Sequence, residues 1–440
     1  MVSVPQVVAA LERVLSSAAE AIERQTGFVK RRSKLNGPLY AKTMVLGRLE
    51  DPSGSLSQLA QVAAGLGLEI TGQGLGDRCN MEAAEFLRQL LDVGVRELLR
   101  AEPVAIGLLR RFAGVYIDDS TVVALPDTLA QVWKGTGERT GHNQAAVKLA
   151  VRLDLLSGSL AGPLLSDGRA QDRSSPLQTM ALPQGGLRIA DLGYFSLPVM
   201  AEIRARGGYW LSRLQVQTTV FDTQGRRLQV NKLLTAQTDS SVDIPVSLGT
   251  EQRLGARFLA VRVAAAVAQE RRRKLRAEAK HKGQAVSQAR LALADWTILV
   301  TNAPVELLSV QEALTLARAR WQIELLFKLW KQHGGIARSP SNKPSRILCE
   351  LYAKLLGMLI QHWLLLLSAW PRPDRSLVKA AATVASNVPL LVAAFHGRLV
   401  LEAAIDHIRS AIALGCRMDT RRKAPNTYQL LLHLDDGTLA

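Results

Sequence analysis

Cysteine is scarce in this sequence of 440 residues, and its scarcity argues against two kinds of stabilising site. Cys79, Cys349 and Cys416 lie far apart and lack the close spacing of a metal-binding motif, so neither a disulfide framework nor a zinc site is predicted. So little cysteine fits a reducing compartment, and we expect a cytoplasmic protein.

Long uninterrupted apolar runs are also missing. Residues 351–370 form one membrane-like stretch, but Lys354, Gln361 and His362 interrupt it, which favours a buried helix over a membrane span. Charged side chains punctuate residues 1–25, so this segment predicts an amphipathic helix rather than a signal peptide. No membrane partner is expected.

Acidic residues are few relative to basic ones. The chain has 38 Asp and Glu against 55 Lys and Arg, which gives a formal net charge of +17. A surface this basic attracts polyanions, and nucleic acid is the usual partner for such an excess. Hydrophobic residues make up 48% of the chain, so it can bury a sizeable core and is expected to divide into two to four units.

The character of the sequence changes along the chain. Apolar residues recur at helical spacing near both ends, whereas strand-like segments dominate between them. We therefore predict an α/β protein with flanking helical regions. Its segments are a helical N-terminal domain at 1–110, a first core segment at 111–206, a β-rich insertion with a basic run at 207–290, a second core segment at 291–340, and a helical C-terminal region at 341–440 with a basic tail at Arg417, Arg421, Arg422 and Lys423.

Two short helices are predicted within the N-terminal segment. Ser53 or Ser55 can cap the first helix, and Gly65 or Gly67 can end it. Residues 69–80 then suit a second helix, which would complete a helix-turn-helix able to read DNA. Three glycines in that stretch disfavour a regular recognition helix, so simple helical packing is the alternative.

The first core segment has strand-like stretches at residues 113–117, 145–156, 160–165 and 187–190. The link Ser157-Gly158-Ser159 suits a hairpin between two of these strands. Residues 175–184 are expected to form a crossover helix before the last strand. Three strands, a helix and a fourth strand are the opening of a ribonuclease-H-like fold, which the β-rich insertion would interrupt.

Acidic residues are expected at the ends of two of these strands. Asp118 and Asp119 follow one apolar strand, and Asp191 follows another. Taken singly, each acid is also typical of a turn or a helix cap. Together with Glu324 they form an ordered Asp, Asp, Glu set, which is the kind of oxygen-ligand set that holds two hard divalent cations for phosphodiester cleavage.

A run of mixed charge surrounds Glu324. Arg320, Glu324, Lys328 and Lys331 are separated by offsets of four, four and three residues, so on one helix they would share a face. One carboxylate flanked by cations suits a site that holds a metal ion and a phosphate backbone. The alternative is an exposed helix with ordinary ion pairs.

This run resembles the signature of the IS-four family of insertion sequence transposases, in which Tyr, Arg, Glu and Lys follow one another with gaps of two, three and six residues. Arg320, Glu324 and Lys331 keep that spacing, and Ala317 stands at the position of the Tyr. The resemblance spans roughly residues 112–335. It implies a DDE transposase that cuts at terminal inverted repeats and joins the freed 3′ ends to target DNA.

The resemblance also implies catalytic residues and a metal. Asp119, rather than Asp118, would be the first catalytic acid because the family's acid precedes Thr or Ser-Thr, and Asp191 would be the second. With Glu324, these residues would bind Mg²⁺, with Mn²⁺ as a possible substitute, and two ions are expected.

Several residues are expected to contact DNA. The resemblance implies that Trp296 stacks on a flipped base, although a position in the core is equally consistent with the sequence. The basic cluster Arg271, Arg272 and Arg273 suits either phosphate contact or a solvated helix. The residues expected near the cleaved DNA end are Arg320, Trp321, Lys328 and Lys331.

The implied partners are double-stranded DNA with terminal inverted repeats, target DNA and a second copy of the chain, since transposition pairs two ends. The protein would then act on the nucleoid in the cytoplasm. Two other functions stay open. One is a transposase-derived DNA-binding protein that cuts slowly because of Ala317, and the other is a structure-selective nuclease on the same fold.

Overall fold

The computed structural model describes residues 2–31, 33–137, 144–281, 283–418 and 430–432. Short π-helical turns occur at Arg13–Ala18 and Leu329–His333. The α-helices are α1 Val4–Glu12, α2 Ala19–Gln25, α3 Gly37–Glu50, α4 Leu56–Gly65, α5 Gly72–Asp77, α6 Met81–Arg96, α7 Gly107–Arg110, α8 Leu197–Ala205, α9 Val230–Thr235, α10 Ala265–His281, α11 Gln288–Ala292, α12 Val310–Ala319, α13 Trp321–Lys328, α14 Pro344–Leu366, α15 Leu377–Ser386, α16 Val388–Phe395 and α17 Leu401–Gly415.

The strands and helices fall into two compact units. Unit one takes its residues from Met1–Ala105, Ser120–Ala170 and Trp321–Tyr428, and unit two from Ile106–Asp119, Gln171–Arg320 and Gln429–Ala440. The strands are β1 Val115–Leu125, β2 Ala145–Asp154, β3 Leu160–Asp167, β4 Leu187–Ala190, β5 Tyr209–Arg213, β6 Val220–Phe221, β7 Arg227–Leu228, β8 Ser241–Leu248, β9 Leu254–Arg262 and β10 Trp296–Thr301.

Unit one is built around α14, which is buried along almost its whole length and packs against α3 and α6. Its polar residues have partners inside the unit: Glu350 accepts a hydrogen bond from Arg48 of α3 at 2.9 Å, and Lys354 donates to the carbonyl of Gly335 at 3.1 Å. The prediction of a buried helix is therefore confirmed. Across the described part of the chain, no single helix has the length and apolar composition of a membrane span, although α15 and α16 pass that test as a pair bent by 44°.

The strands of unit one end in a tight hairpin. The order is β3-β2-β1, where β1 contributes its second half, and β2 and β3 are antiparallel. The predicted Ser157-Gly158-Ser159 turn joins β2 and β3, and Gly158 adopts a φ of 67°, a conformation that costs a glycine little. His362 of α14 donates from Nε2 to the carbonyl of Gly158 at 2.7 Å, which ties the hairpin to the buried helix.

The two short N-terminal helices expected from the sequence are α4 and α5. Ser55 begins α4 in a capping box with Gln58, and Thr71 caps α5 through its hydroxyl. The second helix covers residues 72–77, so it is shorter than the predicted 69–80, because its glycines carry little helical propensity. Whether this pair reads DNA stays a prediction.

Unit two contains a mixed sheet with the strand order β1-β4-β5-β10-β9-β8-β6-β7, where β1 contributes its first half. The pairs β1/β4 and β4/β5 are parallel, and every later pair is antiparallel. Much of the expected insertion at 207–290 thus continues this sheet. Its residues Trp210 and Phe258 share a hydrophobic core with Met200 and Val300 from outside the segment. The observed class is mixed α/β.

Two local predictions are wrong. Residues 175–184 contain a short 3₁₀ turn at Pro176–Gln178 in place of the predicted crossover helix, because Pro176 and Pro183 cannot donate the backbone bonds that a helix needs. The first strand also runs on to Leu125, so Asp118 and Asp119 lie inside β1 rather than at its end. The β-branched residues Thr121-Val122-Val123 extend the strand. Of the predicted basic tail, Arg421, Arg422 and Lys423 lie outside the described residues.

Candidate active site

Asp118 and Asp119 point to opposite faces of β1, since successive side chains of a strand alternate. The Asp118 side chain is completely buried, and its Oδ2 accepts a hydrogen bond from Nε of Arg188 at 2.7 Å. Arg188 also donates to Oε1 of Gln178 at 2.9 Å. Asp118 therefore belongs to a buried polar network, and its carboxylate is turned away from the face that carries Asp119.

The register of β1 and β4 brings Asp119 beside Asp191. The parallel pairing ends at Asp118 opposite Ala190, so one further step places Asp119 opposite Asp191. Asp191 keeps an extended backbone, with φ of −73° and ψ of 166°, before the 3₁₀ turn that follows. Both acids therefore come directly after the last paired residues of β1 and β4. That the two acids converge on one catalytic site stays a prediction.

Arg320 is the third member of this cluster in unit two. It forms the C-cap of α12, and its Nη1 donates to Oδ2 of Asp119 at 2.7 Å. The side chains of Arg320 and Asp119 are 21% and 15% exposed, so the ion pair is largely shielded from water. A charge-assisted hydrogen bond in such surroundings is stronger than one at an open surface.

The signature run does not form one continuous helix. Arg320 separates α12 from α13, and the run ends in the π-helical turn Leu329–His333. Glu324 and Lys328 lie one turn apart in α13, as the sequence predicted, and Lys331 lies in the wider π turn. That Arg320 and Lys331 share their face stays a prediction.

Glu324, Lys328 and Lys331 lie in unit one, whereas Asp119, Asp191 and Arg320 lie in unit two. Glu324 occupies the first turn of α13 and is half-buried; Lys328 is exposed. Burial lowers the pKa of Lys331 from its ordinary value. Ala317, at the position of the family's Tyr, is a half-buried residue of α12.

The oxygen donors present suit a hard divalent cation, because two carboxylates on one face attract such ions and repel each other without one. No group of three Asp, Glu, His or Cys side chains is arranged to hold a metal ion among the residues that the structure describes. In unit two, Asp119 is ion-paired with Arg320.

The two tryptophans expected to contact DNA have different surroundings. Trp296 is only 6% exposed, lies in the core of unit two, and has the guanidinium of Arg262 over its ring at 4.7 Å from the centroid. This geometry favours the core interpretation that the sequence left open. Trp321 is 57% exposed at the start of α13, so its ring is available to a partner.

The three arginines of the α10 cluster have different contacts. Arg271 donates to the carbonyl of Trp296 at 2.9 Å and to the hydroxyl of Thr297 at 3.0 Å, and Arg272 is ion-paired with Asp295. These two arginines attach α10 to the sheet. Arg273 is 78% exposed and pairs only at the surface of its own helix, with Glu270, so it remains the better placed of the three for phosphate contact.

Sequence reasoning missed Arg188 and the pairing of Arg320 with Asp119. A signal for Arg188 was present, because an arginine between apolar residues of a short strand needs a buried partner. Nothing in the sequence indicated that Arg320 would bind Asp119, which lies 201 residues away along the chain.

Comparison with known proteins shows the family of the chain. The sequence profile of the family described as the transposase DDE domain matches residues 110–360, more than half of the chain. The chain belongs to the DDE transposases. Their ribonuclease-H-like fold, their dependence on divalent metal and their binding of DNA with inverted repeats therefore apply to it at the level of the family, and it is an enzyme that cleaves and transfers DNA.

Individual relatives place this transposase among the IS-four-like enzymes. It is 30% identical over 366 residues to the transposase for insertion sequence element IS231C of Bacillus thuringiensis subsp. berliner, a match that covers 78% of this chain and 76% of the relative. It is 29% identical over 363 residues to the transposase for IS231F of B. thuringiensis subsp. israelensis, with the same coverage. The transposase for IS1151 of Clostridium perfringens is 22% identical over 364 residues, with 77% of this chain and 76% of the relative covered.

Proposed function

We propose that this transposase cleaves DNA at the terminal inverted repeats of an insertion sequence and transfers the freed 3′ ends to target DNA. The observation that supports the proposal is that Asp119 and Asp191 directly follow the paired residues of β1 and β4, and that Arg320 binds Asp119. A pair of carboxylates beside an arginine suits a site where a scissile phosphate and a cation meet. The similarity to transposases for the insertion sequence elements IS231F and IS231C supports the same reaction.

In this proposal Asp119, Asp191 and Glu324 bind two divalent cations, Mg²⁺ or Mn²⁺. When bound, such cations lower the pKa of the attacking water or hydroxyl and stabilise the departing oxygen. The side chains hold position and charge. Asp119 lies within β1 and Asp191 directly follows β4, and Glu324 would complete the ligand set from the first turn of α13.

Basic and aromatic side chains would bind the DNA end. Arg320 can bind a phosphate bidentately, and Lys328 and Lys331 would act as point charges on the backbone. The exposed ring of Trp321 suits stacking on an unpaired base, a role for which Trp296 is too deeply buried. Ala317 lacks the ring and hydroxyl of the family's Tyr, so we expect slower cleavage than in a chain with Tyr at this position.

The wider assembly is also part of the proposal. Two copies of the chain would pair two element ends. The net charge of +17 would favour binding of the protein to both element and target DNA in the nucleoid. The strands β1 to β4 and β10 would belong to the catalytic core. The strands β5 to β9 and α10 would form its insertion at 207–290, and the helices before residue 110 and after residue 341 would be its flanking regions. The helices α4 and α5 would add a DNA contact.

Cleavage of a labelled duplex that carries the flanking inverted repeat tests the proposal. The duplex is incubated with wild type, Asp119→Asn, Asp191→Asn or Glu324→Gln in Mg²⁺ or Mn²⁺. Glu202→Gln is the matched control, because Glu202 is an exposed carboxylate of unit two that pairs only with Arg206 on its own helix.

We expect metal-dependent cuts at the repeat boundary with wild type and the control and at least about a hundredfold slower cutting by the three site variants, whereas all five proteins bind the duplex. Binding without cutting by wild type in either metal would favour the transposase-derived binding protein. Cuts without regard to the repeat would favour the structure-selective nuclease.

A further inference from the structure

Arg320 and Asp119 are held in register by rigid elements on both sides of their ion pair. Asp119 lies within β1, directly after the residues that pair with β4, and Arg320 caps α12, which packs against β5 and β9. The start of α12 is fixed by a capping box between Ser309 and Glu312. Because the backbone positions are set in this way, the 2.7 Å contact is part of the fold of unit two rather than a meeting of two flexible surface side chains.

Asp118 and Asp119 are paired with different arginines. Asp118 has its own cation on the opposite face of β1, Arg188, so Arg320 does not serve it. Asp119 and Asp191 directly follow the paired residues of β1 and β4, and two neighbouring carboxylates repel each other unless a cation lies near them. Arg320 supplies one positive charge there.

We propose that Arg320 is a place-holding cation, which neutralises Asp119 while no metal is bound and must leave it before the carboxylate can hold a divalent cation. The inference rests on the proposed function, in which Asp119 is a metal ligand. A guanidinium at hydrogen-bond distance from Oδ2 and a divalent cation on the same carboxylate repel each other at short range. The two cations therefore compete for Asp119.

The DNA end provides Arg320 with another anion. A planar guanidinium binds a phosphate as well as it binds a carboxylate, so a backbone phosphate near the site can take Arg320 from Asp119. Metal binding and DNA-end binding then favour each other, because both require the ion pair between Arg320 and Asp119 to break. The consequence is a transposase that binds catalytic metal weakly until an element end is in place, which protects DNA elsewhere from cutting.

The affinity of the full-length protein for Mn²⁺ without DNA tests this inference. The free ion is measured by electron paramagnetic resonance for wild type, Arg320→Gln, Arg320→Lys and Asp119→Asn. Arg111→Gln is the matched control, because it removes an arginine from another carboxylate of unit two, Glu312, at 2.8 Å. Mn²⁺-dependent increases in the melting temperature of each variant verify that the binding protein is folded.

We expect Arg320→Gln to bind Mn²⁺ about fivefold more tightly than wild type, and Arg320→Lys and Arg111→Gln to stay within about twofold of it. Asp119→Asn should lose this binding component. Equal affinity of wild type and Arg320→Gln, with binding still dependent on Asp119, overturns the place-holder and leaves the proposed function standing. If Asp119→Asn binds Mn²⁺ as wild type does, the metal role of Asp119 fails and the place-holder fails with it.

Discussion

Asp118 and Arg188 form an ion pair at 2.7 Å in which the two side chains are 0% and 4% exposed. Asp119, the next residue along β1, is paired instead with Arg320 at a site that water partly reaches. Two consecutive acids with the same chemistry therefore have different tasks, one in the stability of the strand pair β1/β4 and one in the proposed cleavage. The difference follows from the alternation of side chains along a strand.

Substitution of these two acids should separate stability from activity. Asp118→Ala leaves the buried charge of Arg188 without its carboxylate, so we expect the free energy of unfolding to fall by about 3–5 kcal/mol. Asp119→Ala should lower it by less, about 2 kcal/mol, because the pair with Arg320 is less buried, but should abolish cleavage. Urea unfolding measured by circular dichroism compares the two variants. Equal losses of stability would contradict the division of tasks.

Trp296 and Trp321 should differ in the same way. Trp296→Ala removes a ring from the core of unit two, and we expect a loss of about 3–5 kcal/mol in the free energy of unfolding. Trp321→Ala should leave stability within about 0.5 kcal/mol of wild type and weaken binding of the repeat duplex about tenfold, since its ring is exposed. Fluorescence anisotropy of a labelled duplex measures the affinity. A weakened complex for Trp296→Phe, with Trp321→Ala unaffected, would reverse the assignment.

Local patterns in the sequence were sufficient for much of the fold. The hairpin at Ser157-Gly158-Ser159 was predictable because a glycine between polar residues joined two strand-like runs. The burial of α14 was predictable because its polar residues were too frequent for a membrane span. These features depend on neighbours along the chain, which a sequence displays directly.

Features set by distant residues were not predictable. Whether β1 ends at Asp118 or continues to Leu125 depends on the strands beside it, and no local signal separates the two possibilities. The pairing of Arg320 with Asp119 joins residues 201 positions apart. The break in the signature helix at Arg320 has the same origin, because neither glycine nor proline marks it.

Lys354 should make the free energy of unfolding depend on pH in the alkaline range. Burial in α14 lowers its pKa to about 8 from an ordinary value of 10.5, although it donates to the carbonyls of Gly335 and Arg338. Between these pH values the unfolded chain holds a proton that the folded chain has lost, so the free energy of unfolding rises with pH by up to about 3 kcal/mol from this residue. Lys354→Met should remove that contribution. Urea unfolding at pH 8 and pH 10 gives the change in the free energy of unfolding between these pH values for the variant and for wild type. Equal changes in the two proteins would exclude the effect.

His362 should make the free energy of unfolding fall in acid. Its ring is fully buried, and burial lowers its pKa to about 4 from an ordinary value of 6.5, although its hydrogen bond to Gly158 opposes the shift. The folded state thus keeps the imidazole neutral, while the unfolded chain takes up a proton below about pH 6.5. Stability is present in full above that pH and declines as the pH falls towards 4, by up to about 3 kcal/mol.

The variant His362→Gln isolates this contribution, because its side-chain amide can still donate to the carbonyl of Gly158 but does not titrate. We expect the difference in free energy of unfolding between wild type and variant to shift in favour of the variant as the pH is lowered from 7 to 4.5. Urea titrations at four pH values give the difference directly. A constant difference over this range would show that the pKa of His362 is the same in the folded and unfolded chains, which would contradict its lowering by burial.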